Sequence, residues 1–238
     1  MFAGPNGSGK STIKEVIPPN LLGVYLNADD IEKQIRLNSW FDLSDYVTNV
    51  PAIDLIAYFK ASSFLTTAGL QDQVQNIGLD AHKLDFSRIT MNSYFASVLV
   101  DFLRRHLVKQ KVSFTFETVM SAKDKVDFLK LAQECGYRTY LYFVATVDPE
   151  INISRVQSRV KMGGHPVDPA KIVKRYYLSL DNLMDAIGYA NRAYVFDNSI
   201  GDDSVLLAEI TNGEELELKV DAIPAWFKTY VMDKFTVG

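Results

Sequence analysis

The sequence predicts an α/β fold of the phosphate-loop type, with helices layered on both faces of a central, mainly parallel sheet. Two observations carry this. The run Gly4-Pro5-Asn6-Gly7-Ser8-Gly9-Lys10-Ser11 fits the pattern G-x-x-x-x-G-K-[ST] at all four fixed positions, directly after apolar Met1-Phe2-Ala3. Further on, β-rich apolar runs that end in polar or acidic residues are separated by helical patterns.

The loop comes first. Its three glycines permit positive φ, so successive N–H groups can converge on an anion. A helix opening near Gly9 points its positive end the same way, and Pro18-Pro19 stops it. In this reading Lys10 reaches the β- and γ-phosphates, the Ser11 hydroxyl ligates Mg²⁺, and Thr12 completes the nucleotide-contacting run.

Val24 to Asn27 reads as the second strand, and Asp29-Asp30 opens a helix to about Leu37. One aspartate suffices as a helix cap, which leaves the other for chemistry at the carboxyl edge of the sheet. Residues 38–90 are expected to be a helical insertion: a loop at Trp40-Phe41, a helix from Pro51 to Gly69, and a polar flap from Gln71 to Phe86. Met91 to Lys111 has apolar residues three and four apart and predicts a helix, with His106 at its surface or edge.

Val112 to Glu117 alternates like a strand and ends in Glu117-Thr118, where an acidic group can hold Mg²⁺; a merely solvated glutamate is the alternative. Ala122 to Glu134 is an amphipathic helix, Tyr137 to Val147 a buried strand, and Arg192 to Ser199 the fifth strand with its exit loop, where Asn198 is a candidate beside the base. Between those strands, residues 149–176 hold two helix starts, Asp148-Pro149 and Asp168-Pro169, joined through Gly163-Gly164 and His165. Arg155, Arg159, Lys171, Lys174 and Arg175 make this the basic patch of an acidic protein. The spacing suits a lid that closes on a nucleotide, or else two helices with solvated charges. Residues 204–238 predict a hairpin turning at Asn212-Gly213 and a final amphipathic helix from about Pro224.

Composition narrows the class. Hydrophobic residues at 47% and charged residues at 23% describe an ordinary soluble domain, one unit of 1–238 with an insertion. No apolar run approaches the roughly 20 residues that cross a bilayer. The lone Cys135 fits a reducing, cytoplasmic setting, and a net charge of −4 argues against a nucleic-acid coat. The first strand is only three residues long, short for a buried parallel sheet, so either an earlier natural start or a fragment is expected.

Together these motifs resemble the zeta-toxin-like group of phosphate-loop kinases. The resemblance rests on Gly4 to Ser11, Asn27-Ala28-Asp29-Asp30-Ile31, Phe116-Glu117-Thr118, Arg155-Val156 and Arg159-Val160 with Gly163-Gly164-His165-Pro166-Val167, Arg175-Tyr176, and Phe196-Asp197-Asn198-Ser199. It implies a five-stranded parallel sheet like that of adenylate kinases, with ATP and Mg²⁺ as cofactors. It implies Asp29 as catalytic base, Glu117 as the acidic strand-end residue beside Thr118 at the substrate, and Arg159 and Arg175 as phosphate clamps. The acceptor it implies is a hydroxyl of a small molecule such as a nucleotide sugar. Zeta toxins acting on such sugars carry an arginine after the strand-end pair, where this chain has Val119-Met120-Ser121. A second class of function is a nucleotide-gated module whose 38–90 segment binds an antitoxin-like protein. A polynucleotide kinase is disfavoured by the charge.

Overall fold

The computed structural model describes residues 1–164, 166–201 and 204–235. They fall into two compact units, one of Met1–Pro18 with Glu117–Gly238 and one of Pro19–Phe116. The first unit opens with β1 (Phe2–Ala3), the glycine loop and α1 (Lys10–Glu15), which ends ahead of the two prolines.

The second unit begins with α2 (Pro19–Leu22), β2 (Val24–Leu26) and α3 (Ala28–Asn38). The cap of α3 is Asn27 rather than an aspartate: its Oδ1 accepts from the Asp29 N–H at 2.8 Å and the Asp30 N–H at 3.4 Å.

Residues 38–90 are not purely helical. They contain β3 (Trp40–Asp42), α4 (Ala52–Lys60), α5 (Ser63–Thr67), a 3₁₀ turn over Gln71–Asn76, β4 (Gly78–Asp80) and β5 (Lys83–Asp85), the strands forming an antiparallel sheet in the order β3-β5-β4. The expected helix from Pro51 to Gly69 breaks at Ser62, whose hydroxyl accepts from the Leu65 N–H and starts a new helix. The polar look of 71–86 hides scattered anchors, since Val74, Ile77, Leu84 and Phe86 are all buried. Then α6 (Ser93–Lys109) buries Phe95, Leu99, Phe102, Leu103 and Leu107, and α3, α4 and α5 pack on it. β6 (Phe114–Thr118) follows, with Phe114 to Phe116 parallel to β2 and Leu26 opposite Phe116.

The end of β6 belongs to the first unit, where Glu117 lies opposite Phe2 and Thr118 opposite Ala3. This unit continues with α7 (Asp124–Glu134), β7 (Tyr140–Ala145), α8 (Pro149–Lys161), α9 (Pro169–Asp181), α10 (Leu183–Gly188) and β8 (Arg192–Asp197). β1 pairs in parallel with β6 and β7, and β7 in parallel with β8. Phe2, Tyr142 and Tyr194 stack across β1, β7 and β8 with centroids 5.1 and 5.0 Å apart.

Strands β9 (Val205–Thr211) and β10 (Glu215–Leu218) form the expected hairpin, with Asn212 and Gly213 both at positive φ, and extend the sheet antiparallel from β8. Five strands therefore pair in parallel as expected, and the hairpin adds two more. A short α11 (Ala225–Tyr230) closes the unit, with the Trp226 indole donating to Asp197 Oδ2 at 2.7 Å. Because β1, β6, β7 and β8 run parallel, the segments leaving their carboxyl ends emerge at one edge of the first unit. Those segments are the glycine loop, Glu117-Thr118, Thr146 to Asp148, and Asn198.

Candidate functional site

Gly4, Gly7 and Gly9 adopt φ of 141°, 76° and 96°, a region that side chains disfavour. Space excludes side chains as well. An added Cβ would stand 2.0 Å from Val144 O at Gly4, 2.6 Å from Asn152 O at Gly7, and 1.9 Å from Asn198 Nδ2 at Gly9. Lys10 turns back under the loop and is buried, its Nζ donating to Gly4 O at 2.9 Å and Pro5 O at 3.0 Å, with Glu117 Oε1 at 3.8 Å. Ser8 is fully buried and its hydroxyl makes no hydrogen bond among the described residues. Ser11 and Thr12 are exposed at the start of α1.

The loop is anchored from the second half of the chain. Asn152 Nδ2 donates to Asn6 O at 2.6 Å, and Asn198 Nδ2 donates to Ser8 O at 2.9 Å. Thr146 donates its hydroxyl to Asn152 Oδ1, and the Tyr176 hydroxyl donates to Thr146 O at 2.5 Å. Burial pushes the Tyr176 phenol well above its ordinary value, so it remains a donor. Arg175 Nη1 reaches Asn6 Oδ1 at 3.4 Å, and Arg155 Nη1 donates to Asn198 O at 2.7 Å. The structure thus gathers Gly4 to Lys10, Glu117, Arg155, Arg175 and Asn198 around one loop.

Other expected residues stand elsewhere. Arg159 is exposed on the last turn of α8, where Gly164 N–H donates to Arg159 O at 2.9 Å. Thr118 faces its own chain, accepting from the Met120 N–H at 3.0 Å; Met120 itself is buried with φ of 56°. Asp29 is exposed in the first turn of α3, in the other unit. His165 lies outside the described residues.

Asn152 is the residue that sequence reasoning missed. It occupies a fully buried position on α8 beside Ile153 and Val156. An uncharged polar side chain on the apolar face of a helix was the available signal.

Among the described residues no cluster of three or more His, Cys, Asp or Glu could hold a metal alone, and no helix is long and apolar enough to cross a membrane. The Ser11 hydroxyl and the Glu117 carboxylate are oxygen donors of the kind that would suit a Mg²⁺.

The zeta toxin family profile matches residues 79–198, just over half of the chain. An uncharacterized protein of Haemophilus influenzae is 32% identical over 69 residues, covering 29% of this chain and 49% of that protein. Among solved structures, an AvrRxo1-ORF1:-ORF2 complex with ATP superposes with a TM-score of 0.53 at 17% identity, over 99% of this chain and 62% of the other. The PezAT toxin–antitoxin system of Streptococcus pneumoniae superposes with a TM-score of 0.50 at 15% identity, over 98% and 76%. These structural likenesses concern the fold, a mixed α/β architecture with a mostly parallel central sheet. The chain spans about half the length of the curated relative it matches and less than two thirds of the AvrRxo1 chain. On its profile match this chain belongs to the zeta toxin family.

Proposed function

We propose that this chain transfers the γ-phosphoryl group of ATP to a hydroxyl of a small molecule. The observation that carries the reading is Lys10, buried beneath a loop of positive-φ glycines and flanked by Glu117. A buried cation beneath a glycine loop whose backbone can turn its amides to an anion suits a polyphosphate better than any neutral ligand. The AvrRxo1 relative was crystallised with ATP, which supports the same ligand here.

In this reading Lys10 and the loop amides bind the β- and γ-phosphates. Arg175 and Arg159 stabilise the charge on the transferring group, and Arg155 and Asn198 support the nucleotide side. Ser11 and Glu117 would hold a Mg²⁺, which would supply further positive charge at the phosphate oxygens. Asp29 accepts the proton of the attacking hydroxyl. The acceptor oxygen forms a bond to phosphorus as the bond to the β-phosphate oxygen breaks, and ADP leaves. A nucleotide sugar beside Glu117 and Thr118 is the acceptor the family suggests.

Incubation of the full chain with γ-labelled ATP and a metabolite extract tests this. Label in one small molecule, lost in a Lys10→Ala variant, is the expected result. No labelled acceptor under any condition overturns it. A second reading, nucleotide-gated binding of an antitoxin-like protein, is favoured by two-component relatives such as the PezAT toxin–antitoxin system. ATP-dependent capture of a partner without turnover would select it.

A further inference from the structure

We infer that Asn152 and Asn198 are positioning residues that set the direction of the phosphate-loop amides, an assignment that rests on the nucleotide reading above. In a planar trans peptide the C=O and the following N–H point in opposite directions. A loop that turns N–H groups inward to an anion must therefore turn carbonyls outward into the protein. Buried carbonyls need donors there. Asn152 supplies one to Asn6 O at 2.6 Å and Asn198 another to Ser8 O at 2.9 Å. The amides of Gly7 and Gly9, the partners of those carbonyls across the same peptide planes, are left facing the opposite side. Neither donates to a protein group among the described residues.

Asn152 is held at its side chain and Asn198 at its main chain. The Thr146 hydroxyl occupies Asn152 Oδ1, which commits Nδ2 to the loop. Asn198 is fixed through its main chain: its N–H donates to Ala145 O at 2.8 Å and its carbonyl accepts from Arg155 at 2.7 Å. Asn152 is fully buried and Asn198 nearly so. Asn198 also accounts for the motif glycine Gly9, whose Cβ would stand 1.9 Å from Asn198 Nδ2, while a Cβ at Gly7 would meet the main chain of α8 at Asn152 O.

The test is calorimetric titration of the full chain with Mg·ATP, using Asn152→Asp and Asn198→Asp. Each substitution keeps the shape but sets an acceptor against a loop carbonyl. At about pH 8 each should weaken ATP binding roughly tenfold or more, as expected when a buried acceptor loses its donor. At about pH 5.5 the buried carboxyl takes up a proton and again donates, so affinity relative to wild type at the same pH should recover at least about threefold. A residue that merely fills space would show no such pH rescue. Wild-type affinity in both variants, or an equal loss at both pH values, overturns the inference. Lys10→Ala separates the two levels. If it binds ATP like wild type, the nucleotide reading fails and this one with it; if it alone loses ATP, only the positioning role falls. Should an aspartate variant not fold, a serine at that position replaces it. An approximately tenfold loss with an unchanged unfolding midpoint then supports the role, and wild-type affinity overturns it.

Discussion

Lys10 Nζ lies 3.8 Å from Glu117 Oε1, brought there by a two-residue strand whose Phe2 is in register with Glu117. The same ammonium holds Gly4 O and Pro5 O. Lys10→Ala therefore removes the cation that a polyphosphate needs and leaves two carbonyls and a carboxylate without it. ATP affinity should fall by about a hundredfold or more, and stability by about 1–3 kcal/mol, the range for charge-assisted hydrogen bonds. Calorimetry and urea unfolding read the two effects separately. Undiminished affinity would move the nucleotide away from this loop.

Two glycines at positive φ give a paired experiment on the loop. Gly163 has φ of 90° with open space around its Cβ position, so Gly163→Ala should cost only the conformational penalty, about 1 kcal/mol. Gly9 has φ of 96° and a Cβ position 1.9 Å from Asn198 Nδ2. Gly9→Ala should add roughly 1–3 kcal/mol of overpacking and displace the asparagine that holds Ser8 O. Urea midpoints that fall equally in the two variants would contradict this packing.

The loop was legible because its chemistry is local: four fixed positions in eight residues specify the turn, the cation and the hydroxyl. β7 and β8 were legible as β-forming runs, and β6 by its alternating β-formers. Asn152 shows only as a polar residue on an apolar helix face, since nothing near it in the chain records that Asn6 O, 146 residues away, needs a donor. The exit loop of β8 suggests a base contact for Asn198, whereas its side-chain amide donates to Ser8 O. Residues 71–86 misled for a different reason. Leu84 is buried between Lys83 and Asp85 in a strand only three residues long, too short for its alternation to read as a strand, and Leu79 opposite it on β4 is exposed.

In the second unit Asp101 on α6 gathers Tyr58, Arg104 and Arg105. Arg104 Nε donates at 2.7 Å and Arg105 Nε at 2.9 Å, and the Tyr58 hydroxyl also donates to it. Burial by itself raises the Asp101 carboxyl, but the Arg104 charge and these hydrogen bonds outweigh it and hold the group down to about 2. A carboxylate depressed from 3.8 to about 2 contributes stability that is complete above the unfolded value. That contribution is lost as pH falls toward about 2. Asp101→Asn should thus destabilise the fold by about 1–2 kcal/mol at neutral pH, after allowance for partial exposure. The gap to wild type should narrow below about pH 4. Urea midpoints of both proteins from neutral pH down to about pH 3 check it; a constant gap would show that the ionised carboxylate is not what Tyr58 and the arginines hold.

Asp29 offers the sharpest separation of binding from chemistry. Its N–H is held by Asn27 Oδ1 at 2.8 Å, and that bond uses the main chain, so Asp29→Asn leaves the cap of α3 intact. The exposed carboxylate contributes to the helix only as a charge in the first turn, on the order of 0.3–1 kcal/mol. The variant should fold and bind ATP within about twofold of wild type, because binding of the nucleotide does not require a base. Phosphoryl transfer to the acceptor should fall by roughly two to four orders of magnitude, the usual contribution of a general base. Asp30→Asn, with the same change of charge in the same turn, is the control for helix electrostatics and should retain most of the activity. Equal turnover in Asp29→Asn and wild type would remove the base assignment. A large loss in Asp30→Asn alone would transfer it to the neighbouring carboxylate.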